Sequence, residues 1–149
     1  MSTSFEIRVL HAGDSAALVD LFEPVLPGFA ATATADGPSR FLDDRSTFAI
    51  GAYVDEVPAG LAWGLQIGYP SGRRVTYLHE LDVREEHRRR GIATALVTRA
   101  MTLARERGST RFWLSTGGHN TIAQSLYETL GGERKPLGDV NYWWALDRD

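Results

Sequence analysis

The stretch Leu81-Asp-Val-Arg-Glu-Glu-His-Arg-Arg-Arg-Gly-Ile-Ala-Thr-Ala-Leu96 decides the fold. An apolar strand end runs into a basic turn, then a glycine, then a helix with apolar residues at helical spacing. Backbone N–H groups at a helix N-terminus lack intrahelical acceptors, and the helix dipole is positive there. That order of elements builds an anion cradle. Gly91 has no side chain to hold a phosphate off the backbone, and Ala93 keeps the next turn open in the same way. Arg88, Arg89 and Arg90 add guanidinium donors, which pair well with phosphate. The competing reading is a solvated basic turn that caps a helix. Strand, turn and helix in this order favour the cradle.

The rest of the chain is organised around this segment. With 149 residues it is long enough for one domain over 1–149 with a sizeable core. A net charge of −3 makes a general nucleic-acid binder unexpected and leaves the three arginines as a local positive site. There is no cysteine, so a disulfide framework, a thiolate metal site and a cysteine nucleophile are all excluded, and no metal is expected. No basic segment followed by an apolar run opens the sequence, and no run approaches membrane-spanning length. A cytoplasmic location is the default expectation, without a membrane partner.

Periodicity and turn residues predict the elements. Residues 5–10 read as a strand. Asp14 caps a helix through Phe22, which Pro24 and Pro27 end. Residues 27–37 read as a mobile loop and 38–44 as a short helix. Strands follow at 47–54 and 58–67, separated by the turn Asp55-Glu56, and a long strand at 74–83 enters the basic turn. A helix over 92–107 stops at Gly108. Then come a short strand at 111–115, a helix at 121–130 closed by Gly131-Gly132, and a final aromatic strand at 140–146. This order implies a mixed sheet with helices on its faces.

Arg88-x-x-Gly91-x-Ala93, with Val83 five residues before it and Ile92, Leu96 and Leu103 on one helical face behind it, resembles the acyl-CoA pyrophosphate loop of the GNAT-superfamily N-acetyltransferases. The segment Asn120-x-x-Ala123-x-x-Leu126-Tyr127-x-x-Leu130-Gly-Gly132 resembles the second signature of that family, departing from it at Gly132, where an aromatic is usual. The resemblance covers nearly the whole chain. It implies an α/β (mixed α+β) GNAT fold: a central, mostly antiparallel sheet with splayed fourth and fifth strands and helices on both faces. It implies acetyl-CoA as cofactor, held by Leu81, Val83, Arg88, Arg89, Arg90, Gly91, Ile92, Ala93, Thr94 and Asn120. It also implies a small-molecule amine as partner and allows a homodimer.

Acetyl transfer to an amine needs a base for the ammonium, donors for the oxyanion and a proton for the departing thiolate. The strand Thr76-Tyr-Leu-His-Glu-Leu-Asp-Val83 offers the base. Strict alternation places Leu78, Glu80 and Asp82 on one face and Tyr77, His79, Leu81 and Val83 on the other, although GNAT members commonly carry a bulge here. Glu80 is the candidate base, directly or through a water, against an ion pair with Arg73 or Arg74. His79 competes as base, against a hydrogen-bonded core histidine. Asp82 either lines the acceptor cleft with His79 and Glu80 or pairs with an arginine. Tyr127, with a phenol that ionises near pH 10, is the candidate acid, against a core aromatic beside Ala123 and Leu130. Asn120 caps its helix, and either stops there or also reaches the pantetheine arm.

Two stretches, 47–60 and 75–96, look like the GNAT-type aminoglycoside 3-N-acetyltransferases, with Glu80 at that family's acidic position three before the valine. The leading expectation is therefore 3-N-acetylation of an aminoglycoside, by direct attack in a ternary complex. A polycationic acceptor wants a carboxylate-rich cleft, and Asp43, Asp44, Glu80, Asp82 and Asp139 would supply it by converging. The loop Ser115-Thr-Gly-Gly-His-Asn120 departs from the pattern by carrying no carboxylate. Trp63, Trp143 and Trp144 offer an aromatic pocket instead, or fill the core. The alternatives are another acceptor (a polyamine, an amino-acid-like amine or a protein amine) and a non-catalytic acyl-CoA sensor.

Overall fold

A glycine in the middle of a strand marks a bulge or a close backbone approach, and Gly64 marks both. A Cβ at Gly64 would lie 2.0 Å from the Tyr77 carbonyl oxygen. In the computed structural model, which describes residues 4–135, 142 and 144–147, Gly64 sits where the register of two long strands slips by one. The strands are β1 (Glu6–Val9), β2 (Thr47–Val54), β3 (Val57–Gly68), β4 (Arg74–Val83) and β5 (Arg111–Trp113). They form one sheet in the order β1-β2-β3-β4-β5. The first three pairings are antiparallel, and β4 pairs with β5 in parallel. The parallel pairing covers only Val75 to Tyr77, so β4 from Leu78 onward has no strand partner on that side among the described residues. The expected splay of the fourth and fifth strands is this early parting.

The described residues fall into two compact units, Met1–Ser115 and Thr116–Asp149. The first holds the sheet and four helices: α1 (Ser15–Val25), α2 (Phe29–Thr32), α3 (Gly37–Asp43) and α4 (Ile92–Glu106). Leu18, Leu21, Phe22 and Val25 of α1 pack with Leu61 of β3, and Trp63, Phe29 and Phe41 lie against that cluster. A Cβ at Gly60, which points the opposite way from Leu61, would meet Ile92 of α4 at 3.4 Å. Hence α1 to α3 cover one face of the sheet and α4 the other. Ile92, Leu96, Val97, Ala100 and Leu103 of α4 are buried, the stripe expected of an amphipathic helix. The second unit contains α5 (Thr121–Thr129). No helix among the described residues is long and apolar enough to cross a membrane.

Several sequence expectations change. The first helix runs past Phe22 to Val25 with Pro24 inside it. Pro24 lacks only the N–H that would reach the Asp20 carbonyl, and the chain turns out of the helix directly afterwards. Asp14 stands at the N-cap position but does not cap: its carboxylate accepts from the His11 N–H at 2.8 Å. The expected loop 27–37 contains α2, because Glu23 reaches across from α1. Its two carboxylate oxygens accept from Gly28 N–H at 3.1 Å and Ala30 N–H at 2.7 Å. These bonds, Ala30's first, hold the Glu23 carboxyl below its ordinary range. The turn Asp55-Glu56 has both residues at positive φ, 49° and 67°, the geometry of a tight hairpin turn. Of the final strand expected over 140–146, Val140, Asn141 and Trp143 lie outside the described residues, as does Asp139, while Tyr142 and residues 144–146 are described and are not in a strand.

Candidate active site

The slip opposite Gly64 leaves one residue of β4, His79, without a partner: Gly64 faces Leu78, and Trp63 faces Glu80. This bulge overturns strict alternation. Leu78, opposite Gly64, shares the α4 face, whereas Glu80 and Asp82, opposite Trp63 and Leu61, share the face that α1 to α3 cover. His79 stays on the same side as Glu80, exposed, with its ring centroid 4.5 Å from that of Trp63 and 5.6 Å from that of Tyr77. It is not a core histidine. Tyr77 in turn lies 4.1 Å from Trp113 of β5, so four rings run in series across β3, β4 and β5.

Glu80 is half-buried and forms no ion pair with Arg73 or Arg74. Arg73 lies 6.0 Å over the Tyr69 ring, and Arg74 donates to the Arg107 carbonyl at 3.2 Å. The Trp63 indole Nε1–H instead donates to Glu80 Oε1 at 2.8 Å. That bond fixes one oxygen and leaves Oε2 without a donor among the described residues. Glu80 and Trp63 line a cavity of about 290 Å³ whose other walls are Phe22, Phe29, Phe41 and further residues of the stretch from α1 to α3, apolar apart from Thr34. Asp43, Asp44 and Asp82 do not line it. Asp44 is occupied by Ser46, whose hydroxyl and N–H both donate to it, at 2.7 and 2.8 Å. Burial pushes the Asp82 carboxyl up, while the nearby Arg88 charge and the Val83 N–H pull the other way. The expected convergence of carboxylates is therefore not found in this cavity.

Downstream of Asp82 the chain makes a short 3-10 turn at Glu85–His87 and enters α4. Gly91 stands at the helix start with φ of 83°, and Arg89 is also left-handed at 64°. No side chain caps the helix, and its first backbone bond runs from Ala95 N–H to Gly91 O at 3.0 Å. The N–H groups of Ile92, Ala93 and Thr94 precede that bond and have no helical acceptor. A Cβ at Gly91 would meet nothing within 4 Å, so the cradle lies open. Of the three arginines, Arg88 folds back: its Nε donates to the Val83 carbonyl at 3.0 Å, tying turn to strand. The Ile92 side chain is buried, so only its backbone can contribute.

Arg84 N–H donates to Ala59 O at 2.8 Å, at the end of the antiparallel ladder between β3 and β4. Hydrogen-bonded and non-bonded pairs alternate along such a ladder. Leu81 and Val83 therefore point their backbone N–H and C=O groups away from β3, toward the side that β5 has left.

In the second unit, Asn120 caps α5 by accepting from Ala123 N–H at 3.1 Å. Tyr127 is half-buried, and burial raises its phenol above the ordinary range, so it stays protonated. Trp144 is exposed rather than core.

A sequence profile described as "Acetyltransferase (GNAT) family" matches residues 16–131. The chain belongs to the GNAT acetyltransferase family. Human N-acetyltransferase 8 is 33% identical over 116 residues, 77% of this chain and 51% of the relative. The chain spans about half the length of the N-acetyltransferase 8 proteins it matches first. A streptothricin acetyltransferase of Streptomyces lavendulae is 28% identical over 134 residues, 87% of this chain and 68% of that protein. Among solved structures, an aminoglycoside acetyltransferase from an uncultured soil metagenomic sample superposes with a TM-score of 0.84. It is 22% identical and covers 95% of this chain and 99% of that one, a likeness of fold.

The GNAT donor is acetyl-CoA, and the residues present fit it. An uncapped helix start with an open glycine and arginines beside it suits a pyrophosphate. The backbone groups of Leu81, which face away from β3 and have no partner among the described residues, suit an extended, amide-bearing arm; at Val83 the Arg88 side chain holds the carbonyl. Sequence reasoning missed Tyr77 and Trp113, and the phenylalanines Phe22, Phe29 and Phe41. The last two stand in segments of weak periodicity, where only their size among small residues signalled a packing role.

Proposed function

We propose that the chain transfers acetyl from acetyl-CoA to a primary amine by direct attack in a ternary complex. The observation that carries the reading is the Glu80 carboxylate, held at one oxygen by Trp63 and unengaged at the other, beside the open edge of β4. The donor supplies the acetyl group as a thioester. Glu80 takes the proton that the attacking amine must lose, directly or through a water. The amine nitrogen forms the new bond to the acetyl carbon as the carbon–sulfur bond breaks. Tyr127, kept protonated by its burial, supplies the proton to the departing sulfur. The backbone N–H of Leu81 offers a donor to the carbonyl oxygen as charge develops there. Arg88, Arg89, Arg90 and the N–H groups from Gly91 to Thr94 hold the pyrophosphate. Asn120, engaged as a cap, contributes through its position at the start of α5.

The streptothricin and aminoglycoside acetyltransferases to which the chain is similar support an amine-bearing antibiotic as acceptor, and the resemblance over 47–60 and 75–96 supports the 3-N position of an aminoglycoside. The ring series Trp63, His79, Tyr77 and Trp113 gives a sugar a surface to stack on. An amine of another class is the second reading, and one observation favours it: among the described residues Glu80 is the sole carboxylate lining its cavity. Release of free CoA with a panel of amines separates the two. Turnover of another amine and of no aminoglycoside removes the first reading. Glu80→Gln should lower kcat by about 10²-fold or more and leave acetyl-CoA binding intact. Full activity in that variant removes Glu80 as the base.

A further inference from the structure

We propose that the cavity enclosed by α1, α2, α3 and the sheet receives an apolar group, aryl or branched alkyl, which the acceptor carries a short chain away from its amine. The inference rests on the reading of Glu80 as the base and takes the second acceptor reading, an amine that is not an aminoglycoside.

The wall chemistry carries it. Phe22, Phe29, Phe41 and Trp63 supply rings, and Leu18 and Leu26 fill between them. Phe22 and Phe29 are tilted against each other at 5.0 Å, and Phe41 meets Trp63 edge-on at 5.7 Å. Both are favourable aromatic geometries, so the rings hold one another in place. Among the described residues Glu80 is the only charged side chain on the wall, and the Trp63 N–H is already spent on it. An apolar cavity of about 150 Å³ binds benzene in another protein, so one of about 290 Å³ has room for a ring and a short linker.

The same wall selects against a polycation. One ammonium can sit against Glu80, but a second would enter apolar surroundings without a partner, which is costly. Asp44 does not come to its aid, since it does not line the cavity. Apolar surroundings also favour the neutral form of an amine over its ammonium. The cavity therefore assists the deprotonation that Glu80 completes. A monoamine with an apolar body gains on both counts.

The test has a kinetic arm and a binding arm. The kinetic arm compares kcat/KM for methylamine, butylamine, 2-phenylethylamine, spermidine and an aminoglycoside. Each methylene that enters the cavity should raise kcat/KM about fourfold, with 2-phenylethylamine above both polycations. Ala33→Trp, at a half-buried wall position, should fill the cavity and flatten the series. The binding arm titrates 2-phenylethanol, which has no amine to acetylate, into the wild type and Ala33→Trp by calorimetry. Binding to the wild type and its loss in the variant are expected. A flat series, a polycation above 2-phenylethylamine, or no binding of 2-phenylethanol by the wild type overturns the proposal. Failure of the base reading looks different: Glu80→Gln keeps full activity while 2-phenylethanol still binds.

Discussion

Trp63 and Glu80 stand directly opposite each other on β3 and β4 and are joined by an indole N–H to carboxylate bond of 2.8 Å. The pairing exists because the bulge at His79 turns Glu80 toward Trp63. Trp63→Phe keeps an aromatic wall and removes only the donor. A hydrogen bond to a charged group contributes about 1.5–3 kcal/mol, so kcat/KM should fall roughly tenfold to a hundredfold. Preference among amines should persist, because the cavity stays apolar. Steady-state kinetics on two amines checks both parts, and an unchanged kcat/KM would mean that the bond does not position Glu80.

Tyr127 has its phenol raised above the ordinary value of 10 by burial. A raised phenol stays protonated to higher pH, so a rate that depends on it should decline only above pH 10. Tyr127→Phe should lower kcat at pH 8 by about 10²-fold and remove that alkaline decline. A pH–rate profile of kcat for both proteins decides it. A variant with the wild-type rate and profile would make Tyr127 a packing residue.

Gly91 separates conformational cost from crowding. A Cβ there meets nothing within 4 Å, yet φ is 83°. Gly91→Ala should therefore cost about 1–2 kcal/mol in thermal unfolding from backbone strain alone, and Gly91→Asn less, since asparagine visits this region more readily. Gly91→Glu should abolish acetyl-CoA binding through charge at the helix start. Normal affinity in the glutamate variant would refute the cradle.

Glu23 links pH to the cavity wall through α2. Its carboxyl is held below the ordinary 4.5 by the Ala30 and Gly28 N–H groups. A lowered folded value means a contribution present above about pH 4.5 and lost as pH falls through the folded value. Acid below that range should loosen α2 and with it Phe29. Glu23→Gln should be less stable than wild type at pH 7 and lose that difference at low pH. Equal unfolding temperatures at pH 7 would show that α2 stands without it.

Much of this architecture was legible in the residues. The bounds of β2 and β4 follow from apolar patterning between strong turn signals, and α4 follows from Gly91 and its stripe. The bulge at His79 was not located, because register belongs to two strands at once. Its local sign was present in Gly64, a glycine inside a strand on the partner. The helix α2 was missed because its support comes from Glu23, in another element. The candidate base was legible as a residue type at the strand end. Its surroundings were not, since Phe22, Phe29, Phe41 and Trp63 converge from four elements. The carboxylates read as one group from composition are separated by the fold: Asp44 serves the turn before β2, and Asp82 stands on β4 outside the cavity.

The early parting of β5 from β4 also bears on handling the protein. A strand whose backbone groups face no partner is a template for a strand from another molecule. Among the described residues Leu78 to Val83 present such an edge, and Glu80 and Asp82 place carboxylates along it that discourage a second chain from docking there. A substitution that neutralises Asp82 would raise the tendency of concentrated samples to associate edge to edge. The opening proposed for the donor's arm is thus also an edge that a second chain could use.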